Sequence, residues 1–186
     1  MLDASLLGVG LLGVGLPGDA LLSDAFLRSL QAWLYATQLG EFMRVSRWAW
    51  PVCESLHFIG MSVLVGVVGL FDLRLMGLAR GVPVAAFHRL IPVGVAGFVL
   101  NALTGVSFLA ATPDQYLFNA AFRYKVAFFI IAGLNVLMFY ATAFKPLLAQ
   151  REGEAPPLRA RLAGAVSLCA WIGVMSAGRL LTFFRP

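Results

Sequence analysis

Between Arg47 and Asp72, Arg89 and Asp114, Lys125 and Lys145, and Arg161 and Arg179, the chain runs four times for about 17 to 24 residues with almost no charge. Each stretch is near the length that crosses a bilayer. Backbone amides in hydrocarbon must be satisfied within their own segment, and these apolar runs do not alternate with period two. The predicted fold is therefore all-α, a polytopic membrane protein built as a four-transmembrane-helix bundle. Composition agrees: 60% of the residues are hydrophobic and 12% charged, against roughly 25% charged in a soluble domain. The net charge is +5, but the 14 basic residues are spread among segment ends, which argues against nucleic acid and for the lipid bilayer as the first partner. Cys53 and Cys169 have no metal-motif spacing and read as packing residues.

Two parts are expected, an apolar and amphipathic amino-terminal segment over 1–45 and the transmembrane domain over 46–186. The first sixteen residues are apolar and glycine-broken, with Asp3 where a signal peptide would place a basic residue. Gly8, Gly10 and Gly13 match the dinucleotide-binding spacing, yet no strand can precede them, so the repeat reads as local low complexity. From Ser23 to Leu39, Phe26, Leu30, Trp33 and Leu34 recur at helical spacing, the pattern of one amphipathic helix lying along the membrane surface. Trp48, Trp50 and Pro51 suit the interfacial start of the first span. Later spans are predicted at Val84 to Ala111, Asn119 to Phe144 and Leu158 to Phe184.

Basic residues divide equally between the two sides, seven on each. Arg28 lies far from a span, and Arg123, Lys125 and Arg179 fall within helices, so the connections after the first and third spans carry the stronger positive-inside signal. Localisation in a bacterial inner membrane with periplasmic termini is expected.

The polar residues inside the spans carry the functional expectation. Glu54, His57 and Met61 are spaced three and then four apart and share one helix face at about 100° per residue. In an up-and-down bundle, Asn101, Thr104, Arg123, Met175 and Arg179 fall in the same outer half. A charge in hydrocarbon is costly unless paired, so Glu54 is expected to meet Arg123 or Arg179. The sharper reading is a cofactor pocket formed by Glu54, His57, Met61, Asn101, Arg123, Met175 and Arg179, floored by Met61 and Trp171. His57 is its candidate metal ligand, because imidazole is the usual axial ligand of haem iron. His88 opens the second span at the opposite end, so it cannot share an iron with His57 and reads as an interfacial residue contacting headgroups or loop carbonyls. The bland reading of the same residues is an ion pair and helix-packing contacts.

The blocks Trp50-Pro-Val-Cys-Glu-Ser-Leu-His57-Phe-Ile-Gly60, Phe71-Asp-Leu-Arg74-Leu-Met-Gly77, His88-Arg-Leu-Ile-Pro92, Gly97-Phe-Val-Leu-Asn101-Ala-Leu-Thr104-Gly105 and Ala132-Gly-Leu-Asn135 resemble a family of small bacterial four-helix membrane proteins of unknown function, over Trp48 to Tyr140. The helix around His57 is also loosely similar to the histidine-bearing helices of the cytochrome b561 and CopD membrane families, although it lacks their four-histidine set. That second resemblance implies haem b or a quinone as cofactor. The expected function is a non-catalytic cofactor-binding or electron-transfer subunit of a redox membrane complex, with other membrane subunits or further copies of itself as partners. The alternatives are a purely structural or assembly subunit and, third, a small-solute or metal permease using Glu54 and His57 as a protonatable gate. No nucleophile and base pair or phosphate loop is legible, and no enzymatic activity is expected.

Overall fold

In the computed structural model, which describes residues 17–148 and 153–184, all four apolar stretches are helical and the described residues hold no strand. The glycine repeat before residue 17, together with Arg151 and Arg185 of the charge count, lies outside the described residues. The long helices are α3 (Ala49–Met76), α5 (Ile91–Ala111), α7 (Ala120–Thr142) and α9 (Leu158–Leu180). With α4 (Val84–His88) extending α5, all four are long and apolar enough to cross a membrane, as fits a multi-pass membrane protein. At 1.5 Å per residue α3 alone is about 42 Å long, beyond the roughly 30 Å of a hydrocarbon core. Leu103, Leu134, Leu137 and Leu162 stand exposed on outer faces, where a soluble protein would place polar residues.

Besides the fourth span, whose helix ends at Leu180 and not at Phe184, three boundaries differ from expectation, each for a local reason. The single surface helix is two, α1 (Pro17–Tyr35) and α2 (Gln38–Val45). Thr37 divides them: its hydroxyl donates to Leu34 O at 2.6 Å and accepts from Gly40 N at 3.1 Å, capping α2. The second span is broken at Arg89–Leu90 because Pro92, in the first turn of α5, has no N–H to continue the ladder of α4. The first span runs past Asp72 to Met76, where Gly77 at φ +106° closes it, its N–H donating to Arg74 O and that of Leu78 to Leu73 O.

The bundle is a chain of antiparallel pairs. α3 packs on α5 and on α9, and α9 packs on α7, whereas α5 and α7 are hardly in contact. Glycines set the close pairs. A Cβ on Gly60 would lie 2.9 Å from Gly97 O, and one on Gly97 would lie 2.8 Å from Gly60 O and 2.9 Å from Leu64 N, so α3 and α5 meet backbone to backbone. Gly164 does the same for α9, where a Cβ would sit 2.7 Å from Asp72 O. Gly173 receives the ring of Phe128 from α7.

The ends are tied by polar side chains. Arg44 Nη1 donates to Ala110 O and Ala111 O at 3.3 and 3.4 Å, satisfying the last carbonyls of α5, while its Nη2 donates to Tyr35 O at 2.8 Å. Tyr35 Oη donates to Asp114 Oδ1 at 2.6 Å, in α6 (Pro113–Leu117), a hydrogen bond to a carboxylate that holds the phenol proton and raises its pKa. Asn119, 1% exposed, caps α7 through Ala121 N at 2.9 Å and donates to Leu181 O and Phe184 O beyond α9. The other end is closed by α8 (Phe144–Leu148), beside α4.

Gly97→Ala should destabilise the protein by about 1 to 3 kcal/mol, since its Cβ overpacks a backbone crossing that has nothing flexible to yield. Gly66→Ala, whose Cβ meets nothing within 4 Å, should be neutral or slightly stabilising. Thermal unfolding of the detergent-solubilised variants measures the difference.

Candidate functional site

Because α5 and α7 stay apart, the bundle holds an elongated, partly open cavity of about 970 Å³ that all four long helices line. This is the upper end of the range for small-molecule and cofactor sites. Its walls are mostly apolar, and the rings of Phe98, Phe129 and Trp171 meet edge to face across it, with centroids 5.7 to 6.4 Å apart.

The antiparallel register of α3 and α5 builds the end near the start of α3. His57 Nδ1 lies 2.7 Å from Thr104 Oγ1. The Thr104 hydroxyl is within reach of Leu100 O at 2.8 Å and Asn101 O at 3.1 Å, the back-bond of a helical threonine. With that single proton committed to the backbone, we assign Nδ1–H as donor to Thr104, which leaves Nε2 with a free lone pair. Asn101, 7% exposed, fixes the same turn by donating Nδ2 to His57 O at 2.9 Å. The ring packs edge on against Phe108 at 5.5 Å, and Cys53 Sγ sits 3.6 Å from Thr104 O. Hydrogen-bonding one imidazole nitrogen is how proteins orient the other toward a metal or ligand.

Of the residues expected to form the pocket, Glu54, His57, Met61, Asn101, Met175 and Arg179 line this cavity. Arg123 does not line it; Lys125 does, its Nζ beside Gly178 on α9. Two residues along a helix turn the side chain by about 200°, so only one of the two cations can face the bundle. Glu54 is exposed and forms no ion pair with Arg123 or Arg179 among the described residues, which corrects the expected cross-bundle pair. Tyr116 of α6 stands over the same end, and burial pushes its phenol up, with Cys53 and Glu54 adding to the rise. Met61 and Trp171 do not floor the cavity, which continues past them to Asp72, Asn135 and Tyr140.

The far end of the cavity lies beyond the expected pocket. Asp72, expected to mark the end of a span, is 3% exposed, with Oδ2 unpartnered, and lines the cavity beside Ser167 and Asn135. Trp171 Nε1, between the two ends, is buried without a partner as well. The signal was present in the helix phase: continuing from Glu54, His57 and Met61 by threes and fours through Leu64 and Val68 arrives at Asp72. His88 lies at this end also, but its Nε2 meets Tyr140 Oη at 3.0 Å and its ring packs on Phe144 at 4.8 Å, so it ties α4 to α7 instead of facing headgroups. Cys169 is exposed and contributes no packing, in contrast to buried Cys53.

No group of three or more His, Cys, Asp or Glu side chains suited to a metal ion occurs among the described residues. A metal at His57 would have to bring its other ligands with it, as haem iron does.

Replacing Thr104 with valine, which keeps the shape and removes the oxygen, should leave His57 Nδ1 unpartnered and cost about 1 to 3 kcal/mol. Thr104→Ser should retain most of the stability, as read by thermal unfolding beside the parent protein.

Neither a search of curated proteins nor one of solved structures finds a match to the chain. The family of unknown function DUF6644 matches residues 35–184, which takes in α2, all four long helices and the whole cavity lining, and the chain belongs to that family.

Proposed function

We propose that this protein spans the bacterial inner membrane and binds a flat, largely apolar redox cofactor, haem b or a quinone, in the cavity, serving as a non-catalytic cofactor-binding or electron-transfer subunit of a redox membrane complex. The observation that carries the reading is His57: held through Nδ1 by Thr104, it lines a cofactor-sized apolar cavity together with two cations, Lys125 and Arg179. A free Nε2 lone pair suits either iron or the hydroxyl of a quinol. Lys125 and Arg179 suit haem propionates or a quinone oxygen. The buried, unpartnered Nε1–H of Trp171 supports a ligand bearing an acceptor, since an unmade buried hydrogen bond costs about 1 to 3 kcal/mol. For haem, the thioethers of Met61 and Met175, which line the same cavity, would be the residues beside His57 able to offer a further donor to the iron.

The alternative is a structural or assembly subunit. It draws support from the glycine-seated crossings and from Asn101 and Asn135, both of which donate to backbone carbonyls of a neighbouring helix.

The optical spectrum and an organic extract of protein purified from haem-replete cells separate the readings. A Soret band or an extractable quinone is expected, lost in His57→Ala and kept in His88→Ala. Colourless protein, free of iron and quinone, would overturn the cofactor reading and leave the structural one.

The basic residues near the α3–α4 and α8–α9 connections support a cytoplasmic position for both, which puts the His57 end on the periplasmic side. Alkaline phosphatase fused after Pro186 should be active, and fused between residues 151 and 159 inactive; the opposite pattern reverses the orientation.

A further inference from the structure

The cavity end opposite His57 is chemically the reverse of the His57 end. It presents acceptors. Asp72, on α3, is 3% exposed, lines the cavity, and has no hydrogen-bond partner at Oδ2. Ser167, 4% exposed on α9, lines the cavity about one turn beyond Gly164, which meets the Asp72 carbonyl. Asn135, on α7, spends its amide nitrogen on Ala163 O at 2.9 Å, one turn before Ser167 on α9, so its Oδ1 remains as an acceptor in the cavity lining. These side chains come from three helices and reach the same level of the bundle, because Gly164 seats α9 directly against the backbone of Asp72.

Among the described residues no cation lines this end of the cavity. Lys125 and Arg179 belong to the far end, and Arg74, two residues from Asp72, donates Nε to Val82 O at 2.9 Å, keeps Nη1 buried without a partner and does not line the cavity. Arg159 and Arg161 are exposed. A buried carboxyl group with an unpartnered oxygen, in a cavity wall beside two neutral oxygens, is stabilised by a proton, a cation or a hydrogen-bond donor.

We infer that Asp72, Asn135 and Ser167 form a monovalent-cation site at this end of the cavity, filled by Na⁺ or by the ammonium group of an organic ligand. One carboxylate balances one charge. Mg²⁺ and Ca²⁺ draw on more oxygen ligands, commonly with more than one carboxylate, and softer metals on imidazole or thiolate, neither of which lines this end. The site is independent of which cofactor, if any, occupies the His57 end.

The test is thermal unfolding of the full-length protein in neutral detergent at constant ionic strength, with NaCl, KCl or butylammonium chloride replacing N-methylglucamine chloride. Na⁺ or butylammonium should raise the unfolding midpoint saturably, by roughly 3 to 6 °C at about ten times the dissociation constant. The apparent affinity should fall at least tenfold in Ser167→Ala and be lost in Asp72→Asn, with Glu54→Gln unchanged. A shift with Na⁺ identifies a free-ion site, and one with butylammonium alone identifies a ligand headgroup. Should Asp72→Asn fail to fold, Ser167→Ala, which keeps the carboxylate, decides. No cation-specific shift, or an equal shift in the variants, would overturn the site, while the spectrum that tests the His57 end would stand unaffected.

Discussion

The backbone contact between Gly60 and Gly97 is the constraint on which the rest of the structure depends. Two helices that meet with a glycine on each side have one permitted register at van der Waals distance. That register sets Asn101 under the His57 carbonyl and Thr104 against the His57 ring, so the geometry of the imidazole follows from a crossing several residues away. Gly164 repeats the device between α9 and α3, and with it fixes the level of Ser167 relative to Asp72. No such seat joins α5 to α7. Gly133 of α7 lines the cavity with nothing within 4 Å of its Cβ position, and the space left there is the site.

Polar side chains divide into those that close the ends of the bundle and those that face the cavity. Arg44 and Asn119 satisfy backbone groups at helix ends where the chain changes direction, and tie α2 to α5 and the start of α7 to the end of α9. Three buried side-chain atoms lack a partner among the described residues: Asp72 Oδ2, Trp171 Nε1 and Arg74 Nη1. Two of these residues line the cavity, at different depths and with opposite hydrogen-bonding character. Asp72 Oδ2 and Trp171 Nε1 thus lie unpartnered in the wall of one hollow, while Arg74 Nη1 lies away from it.

Much of this was legible in the sequence because it rests on periodicity. The four long helices followed from low charge and span length, and the shared face of Glu54, His57 and Met61 from 100° per residue. Residue type alone does not separate Arg123 from Lys125, whereas the phase of α7, followed back from Phe129, arrives at Lys125. Asp72 is not legible as a cavity residue because a charge at the end of an apolar run reads as the water boundary, whereas α3 continues one further turn and α9 covers it. The Thr37 break and the bond from His88 to Tyr140 depend on side chains far from any periodic pattern, and no single-helix argument reaches them.

The ring contacts of Phe98 with Phe129 and Trp171 define the weakest seam of the molecule. No hydrogen bond joins α5 to α7 among the described residues, so parting them there sacrifices one edge-to-face contact, Phe98 with Phe129, of about 0.5 to 1.5 kcal/mol. Parting α3 from α5 would strip Thr104 and Asn101 of their partners and open a backbone crossing. The α5–α7 side is thus the most weakly held, and in a bilayer an opening there would lead into acyl chains before it led to water.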